Sequence, residues 1–140
     1  MSKVYKGILF DLDGTILDTA DDLGAALNHV LESKGLPTVS PQKYRPIASD
    51  GAKGLLNLGF GDKIQSHDED ALRQQFLSYY EANIAAHTAL YDGMAALLAF
   101  LDQQEIPWGI VTNKPIGLTN KLLPHYPALS TSCINLGGDS

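Results

Sequence analysis

Apolar residues form two kinds of pattern along the chain, short continuous runs and longer helical stripes. Continuous runs occupy residues 4–10 and 108–112, and a weaker run occupies residues 133–136. Runs of this length without polar alternation are typical of strands that are buried on both faces of a parallel sheet. The sequence therefore predicts three parallel strands.

Helical periodicity dominates the region between the first two runs. In residues 18–34, the apolar positions Leu23, Leu27, Val30 and Leu31 share one face of an amphipathic helix. A glycine and a proline follow this stripe, so we expect the helix to end before them.

Further helices are predicted from weaker signals. A less regular helix is expected near residues 51–58, and Ser66 and Glu69 have the spacing of a capping box that opens another. Residues 91–94 have the composition of a turn before a fourth helix. Pro115 suits the first turn of a fifth.

The order of these elements indicates an α/β protein with a Rossmann-like parallel sheet. One helix is enough to connect two parallel strands, but residues 18–87 contain several. We therefore expect an α-helical cap domain, residues 18–87, inserted into a core made of residues 1–17 and 88–140. With three strands, this core is expected to be incomplete.

Composition restricts the classes of function. The chain is 44% hydrophobic and 19% charged, as in globular proteins, and its net charge of -6 argues against nucleic acid or an anionic membrane as a partner. A single cysteine, Cys133, excludes an intramolecular disulfide. No stretch has the length of a signal-peptide core or a membrane span, which predicts a cytoplasmic protein. No pattern specifies an oligomeric state.

Two carboxylates stand at the end of the first predicted strand. Asp11 and Asp13 are two residues apart, so extended backbone directs both to one side, and Gly14 permits a sharp turn after them. Such a pair repels unless a cation or a shared proton compensates, and Mg²⁺ is commonly held by one or two carboxylates. A calcium loop of the EF-hand type would need additional acidic ligands, and a plain surface turn would not need the apolar run before it.

A second polar group follows the second predicted strand. Ligands of open α/β sheets bind beyond the carboxyl ends of the strands, so we expect Thr112 to lie beside Asp11. A hydroxyl and a backbone N–H at that position can bind phosphate oxygens. The alternative is that Thr112 and Asn113 only cap the next helix.

Residues 11–19, Asp-Leu-Asp-Gly-Thr-Ile-Leu-Asp-Thr, resemble the first motif of the haloacid dehalogenase (HAD) superfamily in its phosphatase branch. The resemblance implies that Asp11 is a nucleophile that forms an aspartyl-phosphate, and that Asp13 protonates the leaving alkoxide and then deprotonates water. It also implies a Mg²⁺ cofactor held by the Asp11 carboxylate and the Asp13 backbone carbonyl. The implied partner is a small-molecule phosphate ester.

Residues 111–115, Val-Thr-Asn-Lys-Pro, are similar to the second motif of this superfamily in the form found in phosphoglycolate phosphatases. The similarity implies that Thr112 and Asn113 bind phosphate and that Lys114 adds positive charge.

Residues 45–53 resemble the substrate-specificity loop of members with a helical cap. Arg45, Ser49 and Lys53 are therefore candidates to contact the non-reacting end of the substrate. A solvated connection between helices is the alternative.

Several hypotheses about substrate and completeness stay open. Residues 44–52 and 87–94 are also similar to N-acetylmuramic acid 6-phosphate phosphatase, and a capped sugar phosphomutase and a non-catalytic fragment are further alternatives. The resemblance extends to Gly-Gly-Asp at residues 137–139, before the later lysine and acidic motif of the superfamily. We therefore expect a fragment of a longer enzyme, weakly active or inactive, with its first strand as an exposed apolar edge.

The remaining polar residues receive structural roles. Asp21 and Asp22 lie in a first helical turn, where negative charge favours the helix dipole, and we assign them no further role. Four histidines without metal-ligand spacing are expected to be surface or core residues: His29, His67, His87 and His125.

Overall fold

The computed structural model describes residues 7–139. These residues form two compact units: Thr19–Thr88 is one, and the described residues on either side of it form the other. We call them the helical unit and the sheet unit.

Two strands are followed by four α-helices, after which strands and helices alternate. Within the described residues, none of the helices has the length and apolar character of a membrane span. The strands are β1 (Ile8–Phe10), β2 (Leu17–Asp18), β3 (Ala89–Leu90), β4 (Trp108–Val111) and β5 (Asn135–Leu136). The α-helices are α1 (Ala20–Ser33), α2 (Pro41–Tyr44), α3 (Gly51–Phe60), α4 (Glu69–Ala82), α5 (Met94–Gln103) and α6 (Ile116–Leu122). Short 3₁₀ turns occupy Ala48–Asp50, Gly61–Ser66, Leu123–His125 and Pro127–Leu129.

The sheet unit is built on a parallel sheet with the strand order β1–β4–β5. Phe10 lies opposite Ile110 in the first pair of strands, and Ile110 lies opposite Asn135 in the second. The predicted α/β fold with three parallel strands is thus confirmed. The second and third strands are shorter than their apolar runs, since β4 ends at Val111 and β5 begins two residues after Cys133. Residues 4–6 of the first run lie outside the described range.

One face of this sheet is well packed. Trp108 and Ile110 project from it and are almost completely buried. The Phe10 ring meets the Trp108 ring edge-on, with 6.2 Å between centroids. The Trp108 indole N–H donates to the Asp102 carboxylate at 3.0 Å, which satisfies its polar atom inside the core.

The opposite face, which we call the bare face, carries Leu9, Val111, Ile134 and Leu136 and is exposed; Leu9 is 62% accessible. Gly109 lies at its centre, where a Cβ would come within 2.7 Å of the Ile134 Cγ2. The prediction that the first strand is buried on both faces is wrong, because the described elements cover only one face. The expectation that this strand forms an exposed apolar edge is confirmed, since β1 ends the strand order.

We expect the Leu9→Lys substitution to reduce self-association of the protein, because it places a charge within the apolar bare face on β1, the edge strand of the described sheet. Light scattering as a function of protein concentration measures the effect. Leu97→Lys is the matched control, since Leu97 is 41% accessible on α5 of the same unit. Equal association of both variants and the unsubstituted protein would show that the bare face does not drive aggregation.

The helical unit is organised around α1, which packs against α3 and α4. Leu27 and Leu31 from the predicted apolar stripe are fully buried, which confirms the amphipathic helix. Gly59 allows α3 to pack closely against α1, because a Cβ at this position would lie 2.9 Å from a methyl group of each of these two leucines.

The start of α4 differs from the prediction. The N-cap is Asp68, whose side chain accepts hydrogen bonds from the N–H groups of Asp70 and Ala71 at 3.0 and 3.3 Å. Ser66 instead ends a 3₁₀ turn. The prediction of a capping box at Ser66 was wrong. Ser and Asp are both strong N-cap residues, and Ser66 and Asp68 are only two positions apart.

A two-stranded antiparallel ribbon, β2–β3, was missed. Leu17 pairs with Leu90 and Asp18 pairs with Ala89. Strands of two residues are too short to show an alternating pattern. The predicted turn that follows is confirmed, with the Met94 N–H bonded to a carbonyl three residues earlier.

Asp21 and Asp22 do more than favour a helix dipole. Asp22 is 3% accessible and accepts hydrogen bonds from the His87 N–H (2.9 and 3.1 Å) and the Thr88 hydroxyl (2.7 Å). Asp21 accepts a hydrogen bond from the Tyr44 hydroxyl at 2.8 Å. The assignment of no further role is therefore wrong, because partners distant in sequence cannot be read from the first helical turn.

Candidate active site

The acidic loop begins directly after β1. Asp11 is exposed, and its carboxylate accepts a hydrogen bond from the Leu12 N–H at 2.8 Å. Leu12 is fully buried, and its carbonyl accepts the N–H groups of residues 15–17. Gly14 has a φ of 83°, a conformation that glycine adopts without strain. This tight turn fixes the two carboxylates at the strand end.

The second polar loop follows β4, the neighbour of β1 in the sheet. Because Phe10 lies opposite Ile110, Asp11 stands one residue and Thr112 two residues beyond this pair at the same end of the sheet. Thr112 is buried, and its hydroxyl oxygen accepts the Lys114 N–H at 3.1 Å. The hydroxyl hydrogen can still donate to a ligand.

Residues 137–139 pack against this second loop. The Gly138 N–H donates to the Lys114 carbonyl at 3.0 Å. A Cβ on Gly138 would lie 2.3 Å from the Asn113 carbonyl oxygen, so glycine is needed for this approach. The Asp139 carboxylate accepts the Ile116 N–H at 2.8 Å, at the start of α6. The Gly-Gly-Asp motif at residues 137–139 was recognised in the sequence, but the sequence did not show that this motif packs against the loop after β4.

The two loops are joined by a buried ion pair. The Lys114 Nζ lies 3.3 Å from the Asp13 Oδ1, and the two side chains are only 5% and 13% accessible. Asn113, between Thr112 and Lys114, is exposed. The sheet unit therefore brings together the residues predicted from both motifs, although the Lys114–Asp13 contact itself was not predicted.

The candidate specificity residues belong to the helical unit. Arg45, Ser49 and Lys53 are all exposed. The Arg45 guanidinium forms an ion pair with Asp21 at 3.0 Å. Ser49 lies in the 3₁₀ turn before α3, and Lys53 lies in the first turn of that helix.

Oxygen ligands for a metal ion are few. Among residues 7–139, no group of three or more His, Cys, Asp and Glu side chains is placed to hold one. The carboxylate of Asp11 and the backbone carbonyl of Asp13 are hard oxygen donors at the tip of β1. Such a small donor set fits Mg²⁺, which usually retains water and substrate oxygens, and does not fit an all-protein cage.

Two of the four histidines pack against aromatic rings. His29 stacks on the Tyr79 ring with 4.2 Å between centroids, and His67 meets the Phe60 ring edge-on at 5.2 Å. These contacts agree with the expectation of structural roles.

The fold and the site together define an α/β protein whose polar groups gather beyond adjacent carboxyl ends of parallel strands, where this class binds its ligands. The chain belongs to the family of haloacid dehalogenase-like hydrolases, whose model matches residues 8–131.

Curated relatives carry two names. The chain is 37% identical over 135 residues to a phosphoglycolate phosphatase of Xanthomonas campestris, an alignment that covers 96% of this chain and 61% of the relative. It is 38% identical over 118 residues to the N-acetylmuramic acid 6-phosphate phosphatase of Pseudomonas aeruginosa, with 84% and 52% covered. The chain thus spans about half to three fifths of the length of these relatives.

A solved structure supports the same family. The crystal structure of a predicted phosphoglycolate phosphatase from Haemophilus somnus 129pt matches with a TM-score of 0.85 at 28% identity. The match covers 97% of this chain and 64% of that one.

Proposed function

We propose that this protein hydrolyses small phosphomonoesters through an aspartyl-phosphate intermediate. The observation that carries the proposal is the meeting of Asp11, Asp13, Thr112 and Lys114 at adjacent strand ends, in a chain of a hydrolase family. The exposed Asp11 carboxylate is the nucleophile, because the ester phosphorus can reach it at the open end of the sheet.

In the first step, an Asp11 carboxylate oxygen forms a bond to phosphorus while the bond from phosphorus to the ester oxygen breaks. Asp13 gives its proton to the departing alkoxide, which leaves as an alcohol. The Thr112 hydroxyl and the N–H groups of its loop bind the phosphate oxygens.

In the second step, water replaces Asp11 on phosphorus. Asp13, now ionised, accepts a proton from the water as the oxygen attacks, and the bond between phosphorus and Asp11 breaks. The products are inorganic phosphate and the regenerated Asp11 carboxylate. Each group therefore returns to its starting state after one turnover.

We propose that Mg²⁺ is the cofactor and that the Asp11 carboxylate and the Asp13 carbonyl hold it. When bound, the ion would screen the repulsion between the carboxylate and the phosphate. The donor chemistry described above supports this choice.

Phosphoglycolate is the proposed substrate, since a named relative that aligns with 96% of the chain supports it. N-acetylmuramic acid 6-phosphate is the second candidate, because the relative of that name is equally similar over a shorter segment. We propose further that Arg45, Ser49 and Lys53 of the helical unit, acting as a cap, select the non-reacting end of the substrate, and that the protein acts in the cytoplasm.

Release of inorganic phosphate from the two esters tests the proposal, with Mg²⁺ present and after chelation. The 140-residue chain is assayed, and so is the full product if the coding sequence continues past its last residue. We expect a higher kcat/KM for phosphoglycolate and loss of turnover on chelation that added Mg²⁺ restores. Absence of phosphate release from any phosphomonoester in both proteins would refute the proposed function.

A further inference from the structure

The charge of Lys114 is committed to a partner inside the protein. Its Nζ lies 3.3 Å from the Asp13 Oδ1, and the Lys114 side chain is only 5% accessible. A lysine that served only to attract phosphate would gain from exposing its ammonium group to the ligand. A buried ammonium beside a buried carboxylate instead indicates a fixed contact, because either charge alone would be poorly solvated there.

The backbone of Lys114 is held at both of its polar groups. Its N–H donates to the Thr112 hydroxyl, and its carbonyl accepts the Gly138 N–H at 3.0 Å. Gly138 in turn packs so closely on Asn113 that a side chain there would collide. The backbone that carries the Lys114 side chain is therefore held in place, and the side chain itself is held by its contact with Asp13.

We propose that Lys114 is a positioning residue for Asp13 and not a ligand of the phosphate. This inference rests on the proposed function, in which Asp13 moves the proton. The contact at Oδ1 holds the Asp13 carboxyl group in a fixed orientation, which its proton transfer requires.

If Lys114 positions Asp13, the effect of removing it depends on the leaving group of the substrate; if Lys114 binds phosphate, the effect does not. An alkyl phosphate such as phosphoglycolate needs a proton on its departing oxygen, whereas p-nitrophenolate is a stable anion and leaves without one. A residue that positions the acid therefore matters for the first substrate and little for the second. A residue that only binds phosphate affects both equally, because both substrates carry the same phosphoryl group.

The Lys114→Met variant tests this difference. We expect kcat/KM for phosphoglycolate to fall by about 10- to 100-fold and kcat/KM for p-nitrophenyl phosphate by less than about 3-fold. In an Asp13→Asn background, Lys114→Met should cause no further loss for phosphoglycolate. Lys121→Met is the control, since Lys121 is an exposed lysine on α6 of the same unit. Equal losses with both substrates, or additive losses in the double variant, would overturn the inference.

A measurement without turnover separates this inference from the proposed function. The ammonium protons of a buried, paired lysine exchange slowly, so Lys114 should give a side-chain signal in a ¹H–¹⁵N NMR spectrum of the protein. We expect Asp13→Asn to remove or shift this signal and Asp11→Asn to leave it in place. If the Lys114 signal is unchanged in the Asp13→Asn protein, the two side chains are not in contact and the inference is wrong. Inactivity of the unsubstituted protein with the signal intact would instead count against the proposed function alone.

Discussion

Replacing Asp11 with Asn is expected to lower the turnover of phosphomonoesters by about 10⁴-fold or more. The amide keeps the size and shape of the carboxylate but offers no oxygen anion to attack phosphorus. Asp11 is exposed at the end of β1, so the substitution removes no buried contact and should not disturb folding. Phosphate release with phosphoglycolate, together with far-UV circular dichroism, measures both effects.

The covalent intermediate provides the sharper readout. Acid quenching of the protein during turnover of ³²P-labelled substrate should trap label that hydroxylamine removes, as expected for an acyl phosphate, and peptide mapping should place it on Asp11. Asp92→Asn is the matched control, because it removes one exposed carboxylate from a turn of the same unit. Turnover of the Asp11→Asn protein within a few-fold of the original would exclude Asp11 as the nucleophile.

Strands and their polar ends could be predicted because they depend on local patterns. A continuous apolar run predicts a buried strand, and a polar group after it marks the carboxyl end where α/β proteins bind ligands. The pairing of β1 with β4 then brings Asp11 and Thr112 to the same end of the sheet. The order of strands and helices along the chain was therefore enough to predict that Asp11 and Thr112 lie close together.

Contacts between segments distant in sequence could not be predicted in the same way. Lys114 was assigned to phosphate because its neighbours resembled a phosphate-binding motif, whereas its ion pair with Asp13 joins two loops that are about 100 residues apart in the sequence. Likewise, the burial of Leu9 depends on whether another layer covers the second face of the sheet. A local pattern shows that a residue is apolar but does not show which element covers it.

Asp22 illustrates the same limit for a charged residue. Its position in the first turn of α1 suggested only a favourable interaction with the helix dipole. The carboxylate instead ties the start of the helical unit to His87 and Thr88 at its end, 65 and 66 residues later. A contact over this separation leaves no periodic signal in the sequence.

Replacing Asp22 with Ala is therefore expected to destabilise the helical unit by about 2–4 kcal/mol, because it leaves the His87 N–H and the Thr88 hydroxyl without their buried acceptor. Urea unfolding followed by far-UV circular dichroism gives the free energy of unfolding of a chain rich in helices from this unit. The single tryptophan, Trp108, reports on the sheet unit by its fluorescence. The midpoint of the circular dichroism transition should move further towards low urea concentration than the midpoint of the fluorescence transition.

Asp21→Ala is the control that isolates this contact. Both substitutions remove one carboxylate from the first turn of α1, so any loss from the helix dipole is shared. Asp21 also loses contacts, an ion pair with Arg45 and a hydrogen bond from the Tyr44 hydroxyl, but its side chain is 49% accessible, and exposed pairs of this kind contribute less than about 1 kcal/mol. Asp22→Ala should therefore lower the free energy of unfolding more than Asp21→Ala does, since Asp22 accepts hydrogen bonds from donors at the far end of the helical unit. Equal and small losses in the two variants would mean that the Asp22 contacts add nothing beyond the charge of the first helical turn.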